Sequence, residues 1–152
     1  YSIDFNPDGS LAITGGLDSI GRVWDLRLGK SIWTLQGKHV KGLLSTKFAP
    51  NGYEIATASE DCTVRIWDLR SLTSLYTLPA HNSTISDLVW TPDGSGLVTV
   101  SYDGNGRVWA RHGWKCLAQL QGHDAKVMAV DISRSSGQIA TFSYDRTFKF
   151  WQ

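Results

Sequence analysis

Charge of one sign is what this chain most lacks: 15 basic against 14 acidic residues leave a net charge of +1, and no run gathers the lysines and arginines. That gives no electrostatic footing for a membrane surface or for bulk nucleic acid. Cysteine is scarce as well. Cys62 and Cys116 lie outside any paired motif, so two unlinked thiols are expected, as in a reducing compartment, rather than a disulfide framework or a cysteine metal site. No apolar run has the length of a membrane-spanning helix, no stretch has the make-up of a signal peptide, and no low-complexity linker divides the chain. Apolar residues at helical spacing are absent beyond a single turn.

What is present is a repeat. Trp24, Trp67, Trp109 and Trp151 stand 43, 42 and 42 residues apart. Six residues before each lies an aspartate (Asp18, Asp61, Asp103, Asp145), and four before each aspartate a threonine (Thr14, Thr57, Thr99, Thr141). A histidine stands 18 residues before the last three threonines: His39, His81 and His123. The first repeat's histidine would fall before residue 1, so the chain is expected to start inside a repeat. Asp8-Gly9, Asn51-Gly52, Asp93-Gly94 and Ser136-Gly137 recur at matching places and predict tight hairpins, which need positive φ. Strands are expected before them over 2–5, 43–48, 85–90 and 127–132, and after them over 11–14, 55–57, 97–99 and 139–141. A third strand runs into each tryptophan, β-branched as in Thr63-Val64-Arg65-Ile66, and a fourth covers 31–35, 74–78 and 116–120. Four strands in each unit of about 42 residues is the signature of an all-β propeller blade, here an arc of about four.

The units resemble WD repeats, with Trp24-Asp25 and Trp67-Asp68 as the naming dipeptide and Gly122-His123 as the leading pair. Trp109-Ala110, Trp151-Gln152, Lys38-His39 and Ala80-His81 depart from those pairs. Blades are expected over about 1–36, 37–79, 80–121 and 122–152, the first without its leading loop and the last without its outer strand. A blade buries its faces only against neighbours. The chain is therefore expected to be part of a larger ring, with residue 152 at or near the natural C-terminus.

A histidine, an aspartate and a hydroxyl in one unit, such as His81, Asp103 and Thr99, invite a catalytic triad, because an imidazole held by a carboxylate activates a hydroxyl. Three full copies and a fourth without its histidine speak against it, since an active site is built once. The resemblance implies instead a structural tetrad, hydrogen-bonded from Trp to Thr to His to Asp. No catalytic, cofactor or metal site is expected. The histidines stand about a blade apart, too far to share an ion, and Gly15-Gly16 and Gly104-Asn105-Gly106 do not open a helix after a strand as a phosphate cradle would.

In this architecture the aspartate turn and the histidine loop open on one rim. Just before the aspartates stand Leu17, Glu60, Tyr102 and Tyr144, and 17 residues before them Tyr1, Leu44, Ser86 and Met128. Unlike the tetrad this set varies, and its aromatic and apolar members have the composition of an interface core. Half-buried packing is the alternative. A second irregularity is Ala110-Arg111-His112-Gly113-Trp114, which replaces the Asp-Leu-Arg link of the two earlier blades. Trp114 is either an exposed ring for a base or a partner pocket or a tryptophan folded back on its own blade. Arg22, Arg65, Arg107 and Lys149 repeat once per blade, which argues for a structural or solvated role.

Several stretches go beyond the generic repeat. Gly15-Gly16-Leu17-Asp18, Pro50-Asn51-Gly52-Tyr53, Tyr76-Thr77-Leu78-Pro79-Ala80-His81, Gly113-Trp114 and Ser143-Tyr144-Asp145-Arg146-Thr147-Phe148-Lys149-Phe150-Trp151 resemble the splicing branch of the family, the WD-repeat subunits of the U4/U6 small nuclear ribonucleoprotein. That resemblance implies a nuclear, non-catalytic scaffold that binds other proteins of that particle, with small nuclear RNA touched indirectly or through limited contacts, and with no cofactor, membrane or small-molecule substrate. An alternative rests on Trp24-Asp25-Leu26-Arg27 and Trp67-Asp68-Leu69-Arg70. These resemble the Trp-Asp-x-Arg signature of substrate receptors for cullin ubiquitin ligases, where the arginine reaches the adaptor.

Overall fold

The computed structural model describes residues 1–152, and every regular element in it is a strand. β1 (Ser2–Phe5), β2 (Leu11–Gly15), β3 (Gly21–Asp25) and β4 (Lys30–Leu35) form the first antiparallel sheet. β5 (Leu43–Phe48), β6 (Glu54–Ser59), β7 (Thr63–Asp68) and β8 (Thr73–Pro79) form the second, and β9 (Ile85–Trp90), β10 (Gly96–Ser101), β11 (Gly106–Ala110) and β12 (Cys116–Leu120) the third. The last holds three strands, β13 (Val127–Ile132), β14 (Ile139–Ser143) and β15 (Phe148–Trp151). Each sheet is a meander, and β1, β5, β9 and β13 lie side by side along the inside of an arc that does not close. This is a run of propeller blades.

The inner strands fall where the sequence puts them, and the second strands run longer. β6 extends to Glu54 and Ser59 because it pairs with β7 from Glu54↔Asp68 to Ala58↔Val64 and with β5 at Leu43↔Ser59. The hairpin turns are wider than Asp-Gly chemistry predicts: five residues separate β1 from β2, β5 from β6 and β9 from β10. Only the glycine takes positive φ in these loops (74° at Gly9, 80° at Gly52, 71° at Gly94). The residue before it works through its side chain, Asp8 Oδ1 accepting from the Ser10 amide at 2.8 Å and Asn51 Oδ1 from the Tyr53 and Glu54 amides at 3.1 Å. Side-chain caps of this kind stand in for backbone turn bonds.

Blades cohere through apolar faces. Ile13, Val23 and Leu35 of the first pack on Phe48, Ile55 and Trp67 of the second. The second and third share the largest cluster, which includes Ala56, Ile66, Leu78, Leu88, Trp90 and Trp109, and Val98, Val100 and Leu120 of the third meet Val127 and Val130 of the fourth. The same register positions lie open at the two ends of the arc. Phe5, matching buried Phe48 and Trp90, is exposed with Ile3 on the first blade, and Phe142, Phe148 and Phe150 are exposed on the fourth.

Candidate functional site

The three histidines enter identical networks. His39 Nδ1 meets Asp61 Oδ2 at 2.9 Å and its Nε2 meets Thr57 Oγ1 at 2.8 Å, while Trp67 Nε1 donates to the same hydroxyl at 3.0 Å. His81 lies 2.9 Å from Asp103 and 2.8 Å from Thr99, which takes the Trp109 indole proton at 2.9 Å. His123, Asp145, Thr141 and Trp151 repeat the pattern at 2.8, 2.8 and 2.9 Å. The carboxylate can only accept, so each imidazole carries a proton on Nδ1, and in the neutral ring Nε2 accepts from the threonine hydroxyl, which in turn takes the indole proton. In the first blade Trp24 Nε1 still donates to Thr14 at 2.9 Å, but Asp18 instead pairs with Arg22 at 2.8 Å.

Electrostatics follow burial. Desolvation pushes the Asp61 carboxyl up, and hydrogen bonds from His39 and Thr63 outweigh it, leaving the group below its ordinary range. Asp103 behaves alike through His81, and Asp145 is held low by the Thr147 hydroxyl and His123. Burial pushes His81 below its ordinary value. Each set is a Thr-His-Asp relay in form. Yet Thr57 and Thr99 are wholly buried and the indole caps the oxygen that would attack, so no substrate carbon can approach it.

Three of the rim residues share a structural origin that the sequence does not announce. Pairing slips between Leu43 and Ser45, between Val127 and Ala129, and opposite Ser86 where Ser101 pairs with Ile85. Leu44, Ser86 and Met128 are thus the extra residues of β-bulges, which re-aim a side chain away from the regular faces. Their uses differ. Ser86 Oγ turns inward to the Val127 and Val100 carbonyls at 2.6 and 3.1 Å, tying the third blade to the fourth, and it offers no free hydroxyl to a partner. Leu44 and Glu60 are half-buried, and Leu17 is exposed beside Gly42, where an added Cβ would lie 3.1 Å from its Cδ2. Tyr1 and Tyr144 are exposed. Tyr102, Met128 and Tyr144 come together with Ala125 and Lys126 around a cup on the rim.

Trp114 is folded back, half-buried, and not onto its own blade alone. Its ring stacks on Tyr76 of the second blade at 6.0 Å and meets Trp90 of the third edge-on at 6.1 Å. Arg111 of the same insert reaches Glu54 of the second blade at 2.6 Å. Three of the four repeated basic positions are occupied within the fold: Arg22 pairs with Asp18, Arg65 donates to Thr77 and Arg107 to the Ala80 carbonyl. Arg70 is clasped by Asp68 at 2.7 Å and lies 3.7 Å over the Tyr53 ring, whereas Arg27 makes no ion pair.

One group escaped the sequence reading altogether. Asp87 faces the inside of the arc, where its carboxylate accepts from Ser45 Oγ at 2.7 Å on the second blade, from its neighbour Leu88 N at 2.9 Å and from Val130 N at 3.1 Å on the fourth. Burial raises its pKa. Asp4 does the same between the first two blades, accepting from Phe48 N at 2.8 Å. No group of histidine, cysteine and carboxylate side chains is arranged to hold a metal ion.

Repeated meander blades, three of the four locked by a tetrad and all carrying a varied rim, define a propeller-type interaction scaffold. The family model described as WD domain, G-beta repeat matches residues 1–25, 29–68, 72–110 and 114–152, and the chain belongs to that WD40 family. No curated protein matches it. WD40-repeat proteins are in general non-catalytic scaffolds for protein–protein interaction, with site chemistry set by the rim of each.

Proposed function

We infer that this scaffold works as a subunit of the U4/U6 small nuclear ribonucleoprotein, holding another protein of that particle in the nucleus during pre-mRNA splicing. The observation that carries the reading is the Tyr76–Trp114–Trp90 stack. Tyr76 and Gly113-Trp114 belong to the stretches that go beyond the generic repeat and resemble the splicing subunits, and they meet in one packing unit between two blades. Two stretches that carry the resemblance and also touch in this fold support the reading more than two stretches lying apart would.

The cullin-receptor alternative would need Arg27 and Arg70 offered alike to an adaptor. Arg70 is turned onto Asp68 and Tyr53 while Arg27 is unpaired, which speaks against it. The test is affinity purification of the intact protein from nuclear extract. U4 and U6 RNAs with their proteins should be enriched well above a propeller control. Their absence, with a cullin adaptor retained by the parent and lost from Arg27→Ala with Arg70→Ala, would overturn the splicing reading.

A further inference from the structure

The cup on the rim between the third and fourth blades has a volume of about 420 Å³ and is walled by Tyr102, Ala125, Lys126, Met128 and Tyr144. We propose that it receives an apolar side chain from an extended segment of a partner protein, with a carboxylate within two residues of that side chain engaged by Lys126. The proposal rests on the scaffold reading and supplies the chemistry of the segment.

The cup is built into the fold before any partner arrives. Tyr144 N and Ser143 Oγ both donate to the Lys126 carbonyl at 2.9 Å, and Tyr102 N donates to Thr84 O at 2.9 Å. Met128 stands on the bulge of β13. The loop bearing Ala125 follows His123, whose imidazole is fixed by Asp145 and Thr141, and it lies across the turn at Gly104, where an added Cβ would be 3.5 Å from the His123 and Ala125 carbonyls. The backbone that carries the walls is fixed in this way, so it loses little freedom on binding. Two tyrosines and a methionine are residue types enriched in interface cores, and methionine adapts to irregular apolar shapes.

Charge selects the occupant. The Lys126 ammonium lies 4.7 Å from the Tyr102 ring centroid and makes no ion pair within the chain; exposed Asp124 on the same loop leaves it unpaired. A cationic or methylated-lysine ligand would meet a tyrosine face already covered by a positive charge. A nucleic acid strand needs several neutralised phosphates, and one lysine on a chain of net charge +1 cannot provide them. An anionic group beside an apolar one fits both walls and lip.

Selection from a displayed library of random twelve-residue peptides tests this, with the parent chain and a Lys126→Glu variant as baits. The parent should enrich peptides with Phe, Leu, Met or Ile within two residues of Asp or Glu, and Lys126→Glu should invert the flanking preference to Lys or Arg. Tyr144→Ala should weaken the selected peptides at least tenfold in fluorescence anisotropy. All these side chains are solvent-facing, so unchanged thermal melts show that the variants fold. No enrichment, enrichment without acidic bias, or a bias that survives Lys126→Glu would overturn the proposal. If the parent selects acidic–apolar peptides yet enriches no U4/U6 component from nuclear extract, the cup stands and the splicing reading falls.

Discussion

The threonine hydroxyl at the heart of each tetrad stands between an indole that can only donate and an imidazole whose tautomer the aspartate sets. The carboxylate only accepts, so the imidazole keeps its proton on Nδ1, and the Thr57 hydroxyl gives its own proton to Nε2 while taking that of the indole. Removing Asp61 leaves the buried N–H of His39 with only the Thr63 hydroxyl at 3.4 Å and frees the Val40 and Thr63 amides. Asp61→Ala is therefore expected to cost about 2 kcal/mol, the scale of stranding buried donors, and chemical denaturation measures it. A variant as stable as the parent would mean that the tetrad does not hold the blade. This network was legible in the sequence because all four members keep fixed spacings within one unit. Asp87 was not, since its partners lie on two other blades and one of them is a backbone amide. The matching positions, Ser2, Ser45 and Ala129, share no chemistry that would mark the site.

At the scale of elements, the places where pairing slips matter more than the regular ladders. Bulges on the inner strands turn Leu44, Ser86 and Met128 toward the rim or the next blade, and slips between β3 and β4, β7 and β8, and β11 and β12 leave Ile32, Leu75 and Leu117 as extra, exposed residues. Alternation alone cannot reveal a slip, because one extra residue exchanges the two faces of everything beyond it. The insert after β11 is another such break. Two alternatives were open for Trp114 from sequence, and the geometry puts its ring against Tyr76 and Trp90, across the joint between the second and third blades. Trp114→Ala should lower stability by about 2 kcal/mol, combining lost burial with two aromatic contacts, and Trp114→Phe should recover part of it. Urea unfolding checks both. A Trp114→Ala chain within a few tenths of a kcal/mol of the parent would show that the ring braces nothing.

For the molecule as a whole, stability is a chain of blade-to-blade joints, and the central joint has a proton switch within it. His81 enters the third blade beside the largest apolar cluster, its own amide donating to Cys62 O of the second blade. Burial holds its pKa below the ordinary 6.5. The unfolded chain accordingly binds a proton near pH 6.5 that the folded chain refuses. His81 thus contributes stability that is complete above about pH 6.5 and is lost as pH falls from there toward the folded pKa. Asp103, held below the carboxylate range by His81, stays ionised across that window and does not offset the loss. Protonating Nε2 would also take away the acceptor of the Thr99 hydroxyl proton. Thermal melts between pH 8 and pH 5 should show the melting temperature falling below neutrality. His81→Gln should be less stable at pH 8 and yet show a shallower fall, because the side chain that takes up the proton is gone while His39 and His123 remain in both chains. Equal slopes in parent and variant would place the acid sensitivity elsewhere in the arc.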